Sequence, residues 1–304
     1  MYALVLSAFY AFIVLYLRHY DFLISGDKQS YINYVYSAPI VLSEIYNTGN
    51  FFSAIVREPI WLSINAFLGY FLLADSVVNV IVFFASFVSA YLLIINNKVK
   101  AAIFYIVLIL LLPQILSNYT IHLRQGLAVS IFMAWYYSVN REKRILIPIL
   151  LPLIHSSFFV VMFIFILSKI FNKLSMKGYL SILFVLSTII SLVFLNIAGL
   201  LGTRQANSIA NSDVSGLNFI YWLTIFLLII GQGRAYFHKY KFEISLVVLY
   251  LCGYFINPYA GRIFESTLII VIPIFLYLKN EKIYIALILL ISLFLLQYLR
   301  LAVR

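Results

Sequence analysis

The chain has 304 residues, 64% of them apolar and only 10% charged, with mean hydropathy +1.05. A soluble domain carries roughly 25% charged residues, so a water-soluble globular protein is excluded. The formal charge of +11 does not make a nucleic-acid binder either. The basic residues sit in short loops between apolar runs, where the positive-inside bias puts them, and no basic face interleaved with aromatics exists.

Backbone inside lipid must satisfy its own hydrogen bonds, which leaves a helical bundle or a closed barrel. Barrel strands alternate in polarity. The runs VLILLLP and FFVVMFIFIL are apolar on every face. The expected fold is therefore all-α: a polytopic membrane bundle of about 10–11 segments in one domain over 1–304, with outer loops near 18–76 and 198–216. The lone Cys252 excludes a cysteine-cluster metal site.

In chain order, the first apolar run, 2–17, lacks a basic leader and a small-residue cleavage site, and reads as a retained helix. The loop after it contains SGDKQSYINYVY. Asp27, Tyr31 and Tyr34 are three or four apart, as on one helical face. Glu58 then precedes Pro59 at the start of a short run, 59–74, that contains Asn65 and reads as a helix lying along the membrane surface. A carboxylate there is either a plain helix cap or an acceptor for a proton.

Runs at 77–95, 101–117 and 125–139 follow. Arg124 heads the last of these, followed by Gln125 and Gly126. A cation opposes the positive end of the helix dipole, so this placement asks for an anion nearby. The plain alternative is a snorkelling arginine that ends a helix. The long run 145–170 is broken by Pro148, Pro152 and HSS at 155–157, which predicts a bent hairpin with His155 and Ser156 at its turn. His155 is either a satisfied core histidine or a proton carrier or phosphate donor.

Runs at 179–197, 217–233, 244–257, 263–278 and 283–299 complete the chain. Between the first two lies GTRQANSIANSDVSG, a polar loop with Arg204, Asn207 and Asn211 that suits a lid or a plain surface loop. PYAGRIFES opens a late helix, where Arg262 and Glu265 share a face as a private ion pair or as an oriented anion site.

Charge placement selects a topology. With 59–74 on the surface and 145–170 as a hairpin, thirteen of the 21 basic residues fall in cytoplasmic loops. They include Lys169, Lys173, Lys177, Arg234, Lys239, Lys241, Lys279 and Lys282. Of the eight left on the outer side, seven are arginines. Arginine presents a rigid fork of donors matched to phosphate and carboxylate, so an anionic ligand is expected on that side.

Several short motifs then line up. They are the Asp27/Tyr31/Tyr34 stretch, Glu58–Pro59, Arg124–Gln125, His155–Ser156 and Gly261–Arg262. Their order and spacing resemble the EpsG-like family of polysaccharide polymerases, related in role to the Wzy O-antigen polymerases. The resemblance covers most of the chain and matches Arg204 less well. It implies a multi-pass enzyme of the bacterial cytoplasmic (inner) membrane, with a glycosyltransferase C-like fold as one form of the bundle and an active site facing the periplasm or cell exterior.

The implied reaction is polymerisation of undecaprenyl-diphosphate-linked repeat units into O antigen, capsule or exopolysaccharide. The partners would be the lipid-linked donor and acceptor glycans, membrane lipid and, additionally, a chain-length regulator, with no nucleic acid. On this reading Arg124 and Arg262, assisted by Arg204, meet the diphosphate charge. Three arginines can stand in for a divalent metal, so neither metal nor cofactor is expected. Glu58 is the first choice as base, then Asp27 or His155. Tyr31, Tyr34, Gln125, Ser156 and Glu265 support. Competing readings are a flippase or transporter of lipid-linked or acidic glycan, a membrane O-acyltransferase, and a scaffold without chemistry.

Overall fold

The computed structural model describes residues 1–19, 27–49, 55, 57–97, 102–138, 145–200, 216–257, 259–278 and 282–302. Among the described residues there is no β-strand, and the chain forms helices joined by short turns. The all-α class expected from apolarity on every face is the observed one. Contacts divide the chain into two compact units, Met1–Phe159 and Val160–Arg304.

The first unit begins with α1 (Tyr2–His19) and α2 (Asp27–Thr48). The stretch read as part of an outer loop is thus largely helical, and α2 carries Pro39 inside it. Next come α3 (Pro59–Phe71) and α4 (Ala74–Asn96). Helix α1 buries Ala3, Ser7, Ala11 and Val14, spaced three or four apart, and packs on α4. The buried face of α4 includes Ala85, Ser86, Ser89 and Ala90. Small residues let membrane helices approach closely, and dispersion then holds them.

The run 101–117, expected as one helix, is two: α5 (Ala102–Leu110) and α6 (Pro113–Thr120), bent by 58°. Pro113 has no N–H and its ring clashes with the preceding turn, so the helix must restart there. The Tyr10 hydroxyl donates to the Leu110 carbonyl at 2.9 Å, satisfying a group at the break. Helix α7 (Leu123–Tyr136) is buried around most of its circumference. The unit closes with α8 (Leu146–Leu150), a 3₁₀ turn (Leu151–Leu153), a break at 154–157 and the start of α9 (Phe158–Ile170). The break falls where the prolines and HSS placed it, and the arm before it is short, Leu146–Leu150 with the 3₁₀ turn Leu151–Leu153.

The second unit holds the rest of α9, then α10 (Met176–Leu200), α11 (Leu217–Ile230), α12 (Arg234–Lys239), α13 (Lys241–Gly253), α14 (Tyr259–Val271) with a 3₁₀ extension (Ile272–Tyr277), and α15 (Lys282–Ala302). Helix α13 packs against α10, α11 and α14.

Four described stretches are long and apolar enough to cross a membrane: Tyr2–His19, Ala74–Asn96, Met176–Val193 and Tyr259–Tyr277. The bent α5/α6 pair makes up to five. The figure of 10–11 segments is therefore approached only by counting shorter apolar helices such as Phe158–Ile170 and Leu217–Ile230. Helix α3, at thirteen residues, spans about 20 Å, less than the hydrocarbon core. The molecule is a multi-pass membrane protein.

Candidate functional site

The site is built on Glu58. Its carbonyl accepts the first intrahelical bond of α3, from the Leu62 N–H at 3.2 Å, but its side chain caps nothing. That removes the plain helix-cap reading. Its backbone sits at φ 56°, ψ 61°, and among the described residues it is the only non-glycine with positive φ. Pro59 disfavours the right-handed helical region for the residue before it. The left-handed conformation still costs about 1–2 kcal/mol, and such strain persists only where surrounding contacts impose it.

Those contacts are on the carboxylate. Oε2 accepts a bond from Arg124 Nη1 at 2.6 Å. Oε1 accepts the Ser156 backbone N–H at 3.0 Å and meets His155 Nδ1, also at 3.0 Å. The Glu58 side chain is 6% exposed, against 26% for Arg124 and 20% for His155. Burial alone would push this carboxyl up. The His155 hydrogen bond, the Arg124 charge and the Ser156 N–H outweigh it, and the carboxyl is lowered to about 2. Glu58 is therefore ionised at neutral pH. An ionised carboxylate only accepts, so His155 Nδ1 carries the proton of that bond. In the neutral imidazole, Nε2 is then the unprotonated nitrogen.

Arg124 is the second residue of α7, where the dipole opposes a cation. The anion its position demands is supplied from within, by Glu58. The Tyr34 ring lies under the guanidinium, 5.3 Å from centroid to Cζ. Tyr31 packs near Tyr34, with centroids 6.2 Å apart, and edge-on against Trp61 of α3 at 5.9 Å. Among the described residues, the buried Arg124 Nε has no hydrogen-bond partner. Gln125, next in sequence, is buried.

The structure thus gathers Glu58, Arg124, His155, Ser156, Tyr34 and Tyr31 at one place, from α2, the turn before α3, the start of α7 and the 154–157 break. Ser156 contributes its backbone N–H to Glu58, a role that residue type does not reveal. Asp27 opens α2, and its side chain falls outside the described set. Arg204 lies outside the described residues. Arg262 is exposed and Glu265 half-buried, both on α14 of the second unit. Among the described residues no group of three His, Cys, Asp or Glu could hold a metal ion.

Two features were not foreseen: the pairing of Glu58 with His155, and the left-handed turn that aims the carboxylate. The pairs lie 66 and 97 residues apart in sequence. No local pattern reports a contact of that range.

The fold defines an all-helical, multi-pass membrane protein with a buried, charge-compensated polar cluster in its first unit. No family model, no curated protein and no solved structure matches the chain.

Proposed function

We propose that this protein polymerises undecaprenyl-diphosphate-linked oligosaccharide units by glycosyl transfer at the outer face of the bacterial cytoplasmic membrane. One observation carries the reading. Glu58, Arg124 and His155, which belong to three separate short motifs of the resemblance, form a single hydrogen-bonded cluster.

On this reading the roles differ from those expected from the sequence. Glu58 accepts three donors and stays ionised, so it is a weak base. Its work is to hold His155 and Arg124. His155 presents Nε2 as the proton acceptor. In the reaction an acceptor hydroxyl oxygen attacks the anomeric carbon of the donor sugar. The bond from that carbon to the diphosphate oxygen breaks as the glycosidic bond forms. The hydroxyl proton passes to Nε2 and later to water. The undecaprenyl diphosphate leaves as an anion, and Arg124 offers donors beyond the one given to Glu58.

The test is an assay with full-length protein, synthetic lipid-diphosphate-linked units and EDTA, read as a glycan ladder. Wild type gives a ladder. Arg124→Ala and His155→Gln, equally folded, lower the rate by roughly a hundredfold or more each. Ladders of equal strength from all three would sink the assignment. Translocation of the unit in proteoliposomes without any ladder would select the transporter reading.

A further inference from the structure

The second unit carries a surface that glycosyl transfer does not use. Three pieces of its chain meet at one end. Lys241, at the start of α13, is buried and donates from Nζ to the Phe171 carbonyl in the α9–α10 turn at 2.6 Å. The same ammonium lies 3.8 Å from the centroid of Tyr179 on α10. The Tyr179 ring meets Phe237 of α12 edge-on at 5.8 Å. The Tyr236 hydroxyl donates to the Ile274 carbonyl at 2.6 Å, and Tyr240 stacks on Tyr277 at 5.8 Å. The α9–α10 turn, α12 and the 3₁₀ extension of α14 are therefore stitched together by aromatic rings and one buried lysine.

The outside of this end is cationic. Lys169, Lys173, Lys177, Arg234 and Lys239 are all exposed there. Lys239 lies over both Tyr240 and Tyr277, at 5.0 and 5.2 Å from their centroids. Glu243 is the only described carboxylate in these segments, and it is buried. An apolar skirt begins beside the cations: Phe163, Ile166 and Ile170 of α9 are exposed, Ile170 next to Lys169. An exposed apolar skirt that gives way to a lysine-rich rim marks a membrane–water interface.

We infer that this end of the second unit is its cytoplasmic end and binds the phosphate headgroups of anionic lipids. The cations are exposed lysines and one arginine carried on two of these converging segments, the α9–α10 turn with its flanking helix ends and α12, which suits several headgroups of a leaflet better than one deep ligand. Juxtamembrane cations gain about 1 kcal/mol each near an anionic surface, or about fivefold in affinity per residue. Lys241 faces inward and fixes the segments, so it is a positioning residue and not a headgroup ligand.

The experiment uses full-length protein in nanodiscs of equimolar phosphatidylcholine and phosphatidylglycerol. Lipids retained after transfer to detergent are counted by native mass spectrometry. Wild type is expected to retain phosphatidylglycerol in preference to phosphatidylcholine. The variant K173Q/K177Q/R234Q/K239Q should lose that preference by at least tenfold. If it fails to fold, K173Q and K177Q singly, both on the exposed turn and helix start, should each lower it about fivefold. An unchanged preference overturns the proposal, as does displacement of the lipid by millimolar glycerol phosphate, which would mark a site for a soluble phosphate. Orientation is read separately with Lys173→Cys in a Cys252→Ser background. An impermeant maleimide should label it only after the membrane is opened, and labelling in intact cells overturns the cytoplasmic assignment.

Discussion

Arg124 in the first unit and Lys241 in the second are both cations largely withdrawn from water, and they are compensated differently. Arg124 meets a carboxylate at 2.6 Å. Lys241 meets a carbonyl and the face of Tyr179. A carboxylate cancels the charge and brings a titratable, removable partner. A carbonyl and an aromatic face satisfy the ammonium without neutralising it, and the region stays positive. The first arrangement suits a site where protons and leaving-group charge are handled. The second suits a fixed positive end that takes an orientation in a membrane.

The largest expected effect separates the two partners. Glu58→Ala leaves the Arg124 guanidinium buried without its anion, and should destabilise the protein by about 3–5 kcal/mol. Alanine also has a β-carbon, so the left-handed strain is unchanged and the loss reports the charge. The double variant Glu58→Ala/Arg124→Met should recover much of it. Lys241→Met removes the charge and its donor together while keeping the stem, and should cost under about 1.5 kcal/mol. Unfolding in detergent by SDS titration measures all four proteins. Equal losses for Glu58→Ala and Lys241→Met would erase the distinction between the two cations.

Acid sharpens the same contrast with a somewhat smaller effect. The Glu58 carboxyl is lowered from 4.5 to about 2 on folding. The unfolded chain therefore takes up this proton more readily than the folded one. The stability contributed is fully present above about pH 4.5 and is lost as pH falls toward 2. The full loss is on the order of 3 kcal/mol. The partners of Lys241, a carbonyl and an un-ionised phenol, do not titrate in this window. Wild-type melting temperature should fall between pH 4.5 and 2 more steeply than that of Glu58→Ala, since every other carboxyl is the same in the two proteins. Parallel curves would show that Glu58 is not held as described.

Composition made the helical membrane class legible, because runs apolar on every face leave few alternatives. The break inside 145–170 was legible as well, since Pro148, Pro152 and HSS lie within a few residues. The restart at Pro113 was equally written in the chain, but the uniform apolarity of 101–117 masked it. Helix α2 was hidden by low hydropathy and by Pro39, although the spacing of Asp27, Tyr31 and Tyr34 was helical. In the site, the individual residues stood out as polar groups in apolar surroundings, and Arg124 advertised a missing anion through its place at a helix start. That the anion is Glu58 could not be read. The pairing depends on how α3, α7 and the 154–157 break pack, and on a backbone conformation with no residue-type signature.

Two glycines, one beside Arg124 and one beside Arg262, give the last and smallest contrast. Gly126 follows Arg124 by two residues, and Gly261 immediately precedes Arg262. A β-carbon on Gly126 would collide with the Asn118 carbonyl oxygen, and would sit 2.9 Å from that carbonyl carbon and 3.0 Å from Tyr119 Cδ1. The obstacle is backbone of α6, which cannot swing aside as a side chain can. Gly126→Ala must push α6 from α7 and, with them, shift the guanidinium that α7 carries. About 1–3 kcal/mol of destabilisation is expected, with a loss of activity beyond what instability explains. A β-carbon on Gly261 meets nothing within 4 Å. Inside a helix alanine is preferred over glycine by about 1 kcal/mol, so Gly261→Ala should leave stability unchanged or raise it. Denaturation midpoints together with glycan-ladder rates at matched folded fraction decide the matter. If Gly126→Ala is as stable and as active as Gly261→Ala, then the close seat of α6 on α7 does not position Arg124.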